Sequence, residues 1–462
     1  MAYATTNPYT GEQLKTFPEA SDQEVSKALA SADNAFNAWH ETPIAERSKV
    51  LKKACDLLRE RAQHYAELIT LEMGKRISEA KAELAICADI FEYYAEHAQQ
   101  QLSSQEVLRE DGIKAKVVNE PIGTVLAVEP WNFPFYQVAR IAAPQIAIGN
   151  SVILKHASIV PQCAGAFEQL LLDAGLPLGG FQNLYASKAQ IHTLINDPRV
   201  QGVALTGSEA AGAKVAAQAG EALKKSTLEL GGSDAFIVLE DADLERAAEL
   251  AVSGRNSNAG QVCTASKRFI VVDSVYDPFL ALYKQKAAQQ LKAGDPMDEA
   301  TTLSPLSSQE AADNLYQQIE AAQQQGAKVE DLGIEVPSQG AFVKPVVISN
   351  VTSENPAYYQ EFFGPAAMFF RARNEDDAVR IANDSPYGLG GSVYTEDIER
   401  GSAVAAKVSS GMVFVNHPTQ SRADLPFGGI RRSGYGRELT GLGLKEFVNQ
   451  KLIAVVDSGA SV

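Results

Sequence analysis

From Pro121 to Leu230, short apolar runs of strand type alternate with helical patterns. No other feature of the chain restricts its fold as tightly. Strand-like segments fall at Thr124–Glu129, 151–154, 181–185, 202–205 and 226–230. Helical spacing covers 138–147, 161–174, a turn or two near Ile191, and 211–223. A strand, a helical crossover and a further strand, repeated, give parallel βαβ units with the sheet buried on both faces. A second α/β block opens at Ala235-Phe-Ile-Val-Leu239, enters a helix at Asp243 and runs to about Leu425. The expected class is therefore α/β, with two parallel Rossmann-like domains. Residues before about 100 read as helices, over 25–39 and 45–73, and a charge-rich stretch, 99–120, leads into the alternating block. The tail 447–456 is apolar and β-leaning, and such a strand pairs with another edge, often one from a second subunit.

A chain of 462 residues has room for two or three cores of this kind. No stretch approaches the ~20 apolar residues of a membrane span. The longest candidate, 141–154, is interrupted by Pro144, Gln145, Gly149 and Asn150. The net charge of -16 argues against a nucleic-acid surface, which needs clustered Lys and Arg. The first residues show no basic region followed by an apolar core, so no secretory signal is expected and the cytoplasm is the expected compartment.

The four cysteines, at 55, 87, 163 and 263, are widely spaced, which favours free thiols over disulfides. Cys55, Cys87 and Cys163 sit in Ala- and Leu-rich helical contexts and read as small buried apolar residues. Cys263 lies in Asn258-Ala-Gly-Gln-Val-Cys-Thr-Ala-Ser266, a polar, Gly-containing loop. The six histidines form no metal-ligand spacing, so no metal centre is expected.

There is no Gly-x-Gly-x-x-Gly after a strand. Gly207-Ser-Glu-Ala-Ala-Gly212 follows one strand and opens a helix, but Ala213 stands where a P-loop needs Lys, so ATP is excluded. What remains is a strand, a turn and a helix whose first N–H groups can hold a pyrophosphate, or a plain tight turn. Three segments add chemistry. In Glu129-Pro-Trp-Asn-Phe-Pro134, two prolines fix the backbone around Asn132, whose amide can donate to an oxyanion. In Leu228-Glu-Leu-Gly-Gly232, Glu229 closes an apolar strand, and a desolvated carboxylate there has its pKa raised towards that of a general base. Cys263 supplies a nucleophile. Singly, Asn132 reads as a turn residue, Glu229 as a capping or ion-paired carboxylate and Cys263 as an inert thiol; together they are the parts for acyl chemistry through a thioester.

The set resembles the aldehyde dehydrogenase superfamily over nearly the whole chain. Pro130-Trp-Asn-Phe-Pro134, Leu154-Lys155, Thr206-Gly-Ser208, Glu229-Leu-Gly-Gly232, Gly260-Gln-Val-Cys263, Glu361-Phe-Phe-Gly-Pro365 and Pro426-Phe-Gly-Gly429 stand in that superfamily's order and spacing. The resemblance implies Cys263 as nucleophile, Asn132 with the Cys263 N–H as oxyanion hole, and Glu229 as the base for deacylation. It implies Lys155 and Glu361 on the cofactor riboses, Phe363 beside the nicotinamide, Gly207 and Ser208 at the pyrophosphate, and Pro130, Trp131, Thr206 and Leu230 around them. It also implies a cofactor domain of 1–102 and 122–233, a catalytic domain of 234–433, and a small β arm of 103–121 and 434–462 that builds a homodimer or homotetramer. Glu229 argues for hydrolysis over acyl transfer to coenzyme A. A non-catalytic protein on the same fold is the remote alternative.

Helical spacing after Pro134 nominates Phe133, Tyr136, Gln137 and Arg140 for the substrate tunnel. Arg140, in an otherwise apolar run, needs an anion: either a protein carboxylate or a carboxylate of the substrate held by the guanidinium fork. The chain is most similar to the bacterial subgroup acting on succinate semialdehyde, which favours that substrate over glutarate semialdehyde or an aliphatic aldehyde. The loop 416–424, with Ser421 and Arg422, is the expected opposite wall. Lys155-His-Ala-Ser158 departs from the common Lys-Pro-Ala-Glu, and Ser158 removes the carboxylate that would repel a 2′-phosphate, so NADP is expected ahead of NAD. His156 reads as structural. Ala265 leaves no second thiol for a redox switch beside Cys263.

Overall fold

The computed structural model describes residues 3–107 and 113–456. Two α/β sheets carry the chain. The first has six strands in the order Gly434–Tyr435, Lys225–Glu229, Val200–Thr206, Thr124–Glu129, Ser151–His156 and Phe181–Asn183, all parallel except the first. The second has seven, in the order Lys328–Asp331, Val346–Ser349, Ala366–Ala372, Ser266–Val272, Asp234–Val238, Gly391–Tyr394 and Phe414–Val415, with only the first pair antiparallel. In the central strand Thr124–Glu129 every residue but Val128 is buried, as an unbroken apolar run between two helical layers requires.

The chain enters the six-stranded sheet at Thr124–Glu129, builds outward to Phe181–Asn183, then returns to build the other side from Val200–Thr206. The reversal lies between Thr124–Glu129 and Val200–Thr206, and a crevice opens beyond the carboxyl ends of strands at such a point. The segments after these strands are 130–135 and 207–208. The loop before Ser266–Val272, which carries Cys263, and the loop before Ala366–Ala372, which carries Glu361 and Phe363, close the crevice from the seven-stranded side.

Several expectations need correction. The helical N-terminal region begins with an antiparallel ribbon, Tyr3–Thr6 against Gln13–Phe17, whose short alternating pattern is masked by the turn residues between. The expected helix 45–73 is two helices, Ile44–Glu60 and Ala62–Met73, broken where Arg61 leaves helical geometry at φ -101°, ψ 14°. Val448–Val456 pairs along its whole length with Ile113–Pro121 of the same chain, with Gln105–Val107 on the far edge. Residues 434–447 do not join that arm: Gly434–Tyr435 extends the six-stranded sheet, and Phe447 is buried in the helical core beneath it. Within the expected arm segments, residues 108–112 and 457–462 lie outside the described residues.

Candidate active site

Cys263 opens onto a cavity of about 280 Å³ lined by Pro130, Trp131, Asn132, Gln137, Thr206, Gly207, Ser208, Leu230, Gly231, Glu361 and Phe363. Residues from five separate segments of the sequence, Cys263 included, are thereby gathered within one small volume. Trp131 and Phe363 meet edge to face, their ring centroids 5.9 Å apart, and with Leu230 they form an apolar slot. An open groove of about 610 Å³ continues from Ser208 and Glu361 along Glu209, Ala210 and Arg432. Ser208 caps the helix Glu209–Glu221 by accepting from the Ala211 N–H, so the helix start faces this groove.

The backbone before the nucleophile is held in a rare shape. Asn258 and Ala259 take φ of 50° and 51°, followed by Gly260 at 78°, a run of left-handed residues that costs free energy in two of the three. Hydrogen bonds over-determine it. Glu79 Oε1, from the helix Ile77–Gln101, accepts the Asn258 N–H at 2.9 Å. The Asn258 amide donates to Asn132 O at 3.0 Å and to Gln261 O at 3.3 Å. Arg255, fully buried, donates to the carbonyls of Gly260, Phe362 and Gly364. Lys267 Nζ binds the carbonyls of Val262 and Cys263 at 2.7 Å each and pairs with Glu361 at 3.0 Å. Gly232 lies against the same loop: a Cβ there would come within 2.6 Å of Cys263 O.

Asn132 Nδ2 donates one hydrogen to Gln261 O at 3.1 Å, which leaves its second for a ligand oxygen. Gln137 Nε2 donates to Asn132 Oδ1 at 3.3 Å, fixing which end of the amide faces the cavity. Burial pushes the Cys263 thiol up to about 11, against the pull of Arg140 and Lys267, so the resting group is a thiol.

Glu229 is placed differently from its expected partners. Its neighbour Leu230 lines the cavity, while its own carboxyl lies behind that wall, in the space left by Gly428, where a Cβ would stand 2.8 Å from Oε1. Burial, then the Glu438 charge, raise its pKa well above the carboxylate range despite Arg140 and Arg437. Glu129 is raised for the same reasons.

Arg140 answers the question its sequence posed in two ways at once. Nε pairs with Glu438 at 2.7 Å, and Nη2 donates to Gln137 and, at 3.4 Å, to Thr206. A protein carboxylate, the first of the two alternatives the sequence left open, is thus one anion it meets in this structure. Nη1, however, is buried and has no hydrogen-bond partner among the described residues. Burial works against its charge, but Glu438, Tyr136, Glu229 and Cys263 outweigh this and hold it protonated.

The remaining expected residues are less close to the thiol. Phe133 and Tyr136 pack edge to face, with Lys75 Nζ 3.5 Å from the Phe133 ring centroid. Ser421 stands beside the Tyr136 hydroxyl and faces an outer cavity of about 600 Å³ against the helix Ile77–Gln101, so it borders Tyr136 and not the Cys263 cavity. Lys155 and Ser158 are also outside the cavity lining, on the next strand and loop along the crevice, where the Ser158 carbonyl accepts the Ala4 N–H at 3.0 Å. Burial lowers the Lys155 ammonium pKa, with Lys188 adding to the effect. His156 is buried and structural: Nδ1 accepts from Ala157 N, and Nε2 lies 2.9 Å from Pro134 O, so the ring braces the Asn132 turn.

Lys267, Asn258, Glu79 and Glu438 were not expected at the site. Lys267 had a signal, one of two adjacent cations, Lys267 and Arg268, at the start of the otherwise apolar strand Ser266–Val272; Glu79 and Glu438 had none, because their partners are remote in sequence.

The aldehyde dehydrogenase family profile matches residues 1–453. The chain is 48% identical over 451 residues to the succinate-semialdehyde dehydrogenase (NADP(+)) of Deinococcus radiodurans, covering 98% of this chain and 94% of that protein. It is 44% identical over 453 residues to a probable succinate-semialdehyde dehydrogenase (NADP(+)) of Synechocystis, covering 98% of this chain and 99% of the relative. The crystal structure of succinic semialdehyde dehydrogenase from Streptococcus pyogenes in complex with NADP+ is 45% identical and superposes with a TM-score of 0.96 over 99% of this chain and all of that one. The chain is therefore a member of the aldehyde dehydrogenase family.

Proposed function

We propose that this enzyme oxidises succinate semialdehyde to succinate with NADP+ as the preferred acceptor and NAD+ as the weaker one. The observation that carries the reading is the cavity in which the Cys263 thiol, the second hydrogen of the Asn132 amide and the Trp131–Phe363 slot face one another. Similarity to the Deinococcus and Streptococcus enzymes supports the substrate and the cofactor.

The residues present fit a nicotinamide dinucleotide. Gly231 packs closely against the Glu361 carboxylate, which a side chain at this position would push aside. The slot between Trp131, Phe363 and Leu230 suits a flat ring, and the helix start at Ser208 suits a pyrophosphate. Lys155 and Glu361 would hold the riboses, and Ser158 in place of a carboxylate would tolerate a 2′-phosphate. Bound there, a nicotinamide dinucleotide would supply the two-electron oxidising capacity that takes the aldehyde carbon to the acid level.

Cys263 attacks the aldehyde carbon after giving up its proton. The Asn132 amide and the Cys263 N–H hold the oxygen as it gains charge, worth roughly 2.7–4 kcal/mol for one such donor. Glu229 takes protons through water, first from the thiol and then from the hydrolytic water. Arg140 Nη1 reaches the remote carboxylate, with Tyr136, Gln137, Phe133 and Ser421 shaping the tunnel. Assembly into a homodimer or homotetramer belongs to the same reading, supported by Leu452, Val455 and Val456, which are exposed on the outer strand Val448–Val456. Four free cysteines support a reducing compartment, the cytoplasm.

The test is a turnover screen with NADP+ and NAD+ over aldehydes of three to six carbons, each with and without a terminal carboxylate. The highest kcat/KM is expected for succinate semialdehyde with NADP+. A preference for butanal or for the five-carbon semialdehyde would overturn the substrate.

A further inference from the structure

Glu79 and Glu83 stand one turn apart on the same face of the helix Ile77–Gln101. Four residues of helix separate them by about 6 Å along the axis. The helix itself is anchored, with Ala80, Leu84, Ala88 and Phe91 buried in the helical core.

Glu83 reaches the Asn132 side of the site. Its Oε2 pairs with Lys75 Nζ, and both side chains are fully excluded from solvent. Its Oε1 accepts the N–H groups of Phe135 and Tyr136, at 2.8 and 3.1 Å. These donors open the helix Tyr136–Ile148, which has no side-chain cap of its own. A carboxylate at that point also meets the positive end of the helix dipole. The turn that carries Asn132 is thereby pinned three residues further on, and Lys75 supports the Phe133 ring between.

Glu79 reaches the Cys263 side. Its Oε1 accepts the Asn258 N–H and, at 3.2 Å, the Ser257 hydroxyl. Arg76 holds that carboxylate with Nε 3.0 Å from Oε2 and Nη2 2.8 Å from Oε1.

An oxyanion hole built from the Asn132 amide and the Cys263 N–H draws its two donors from different sheets. The two loops are joined directly by Asn258 to Asn132 O and by Asn132 to Gln261 O. Hydrogen bonds between two irregular loops leave a hinge on which the amide can tilt. A third member, rigid in itself and tied to both loops, closes a triangle and removes the hinge. The tolerance is small, since such donors must be held to within about 0.5 Å.

We propose that Glu83 and Glu79 form a two-pronged bracket that sets the gap between the Asn132 amide and the Cys263 N–H, with Lys75 and Arg76 holding the prongs. None of the four lines the Cys263 cavity, so all are positioning residues. The proposal rests on the thioester reading above.

The test compares two paired variants of the full-length enzyme, neither of which strands a buried charge. Lys75→Met with Glu83→Gln keeps an acceptor for the Phe135 and Tyr136 N–H groups; Lys75→Met with Glu83→Leu does not. The first should stay close to wild type. The second should slow the NADPH burst roughly ten- to hundred-fold, with KM for NADP+ unchanged. In an Asn132→Ala background the exchange of Gln for Leu should cost less than about twofold, because no amide remains to be placed. Glu79→Ala should slow the burst in the same range, Glu79→Gln should restore most of it, and Glu79→Ala should add little to the Leu pair. If the Leu pair does not fold, Glu79→Ala against Glu79→Gln carries the comparison. A merely structural role would lower Tm and slow the enzyme equally with and without Asn132. Equal burst rates for the Gln and Leu pairs, equal losses in both backgrounds, or fully additive losses from the two prongs would overturn the bracket. The same comparisons are read on acylation of Cys263 by p-nitrophenyl acetate, in which the S–C bond forms as p-nitrophenolate leaves. That reaction uses the thiol and both donors but neither aldehyde nor NADP+. A wild type that is acylated but oxidises no aldehyde would overturn the functional reading, and the ester rates would still decide the bracket. A wild type that does neither would overturn both.

Discussion

The two sides of the Cys263 cavity are built in opposite ways. On the Asn132–Cys263 side, carbonyls, amides and cations are tied to one another: Asn258 to Asn132 and Gln261, Lys267 to Cys263 and Glu361, Arg255 to three carbonyls. On the Glu229–Arg140 side, oxygens of Glu129 and Glu229 and one arm of Arg140 have no partner. The difference follows from what each side must do. A nucleophile and its oxyanion donor need fixed directions, which come from tying the loop's carbonyls and amides to Asn258, Arg255 and Lys267. This holds even though Arg255 Nε and Nη1 and Asn258 Oδ1 have no partner among the described residues. Groups that accept protons or seize a ligand charge need capacity left over, at the cost of burying it unsatisfied.

If that contrast is right, Cys263→Ala gives the largest effect, a loss of more than a hundred-fold in aldehyde oxidation, about 2.7 kcal/mol. NADP+ binding should survive, measured by fluorescence titration. Because burial raises the thiol pKa to about 11, alkylation of Cys263 in the free enzyme should be slow at pH 7 and keep accelerating beyond pH 9. A plateau near neutral pH would show a preformed thiolate and break the picture of a quiet, fixed nucleophile.

Arg140 tests the unsatisfied side. Arg140→Ala should cost succinate semialdehyde a ten- to hundred-fold fall in kcat/KM, the ~1.5–3 kcal/mol of a hydrogen bond to a charged partner. Butanal should lose much less, and Arg140→Lys should recover only part of the loss. Equal losses for both aldehydes would mean that pairing with Glu438 is the whole role of Arg140.

Asn258→Gly sharpens the Asn132–Cys263 side. Glycine accepts the left-handed backbone at this position but has no amide to tie Asn132 to the loop. About a tenfold fall in kcat is expected, with KM for aldehyde little changed. Asn258→Ala should fall further and also lower Tm, because alanine adds backbone strain. The smallest effect belongs to the outer crevice: Ser158→Glu should reverse the NADP/NAD preference in kcat/KM with little change in kcat for the better cofactor. An unchanged ratio would show that Ser158 does not face the ribose.

Much of this architecture was legible in the residues. Buried parallel strands are short and apolar, so Thr124–Glu129 was placed to the residue and Val200–Thr206 to within two. The ribbon at Tyr3–Thr6 and the break at Arg61 were not legible, because both depend on packing against distant segments. The rule that marks Glu229, a carboxylate closing an apolar strand, applies equally to Glu129, which ends the strand Thr124–Glu129.

The sequence by itself determined the chemistry of the parts: a loop thiol, an amide fixed between prolines, strand-closing carboxylates, and an arginine in an apolar helix that must find an anion. Those follow from local composition, since solvation and backbone restriction act over a few residues. Only the tertiary structure decided which anion Arg140 meets, that Glu79 and Lys267 brace the nucleophile loop, and that Glu129, Thr206 and Glu229 stand in a row. These depend on strand order and register, and sheet neighbours are chosen by the packing of whole layers, which brings residues 129, 206, 229 and 438 together although nothing near any of them names the others.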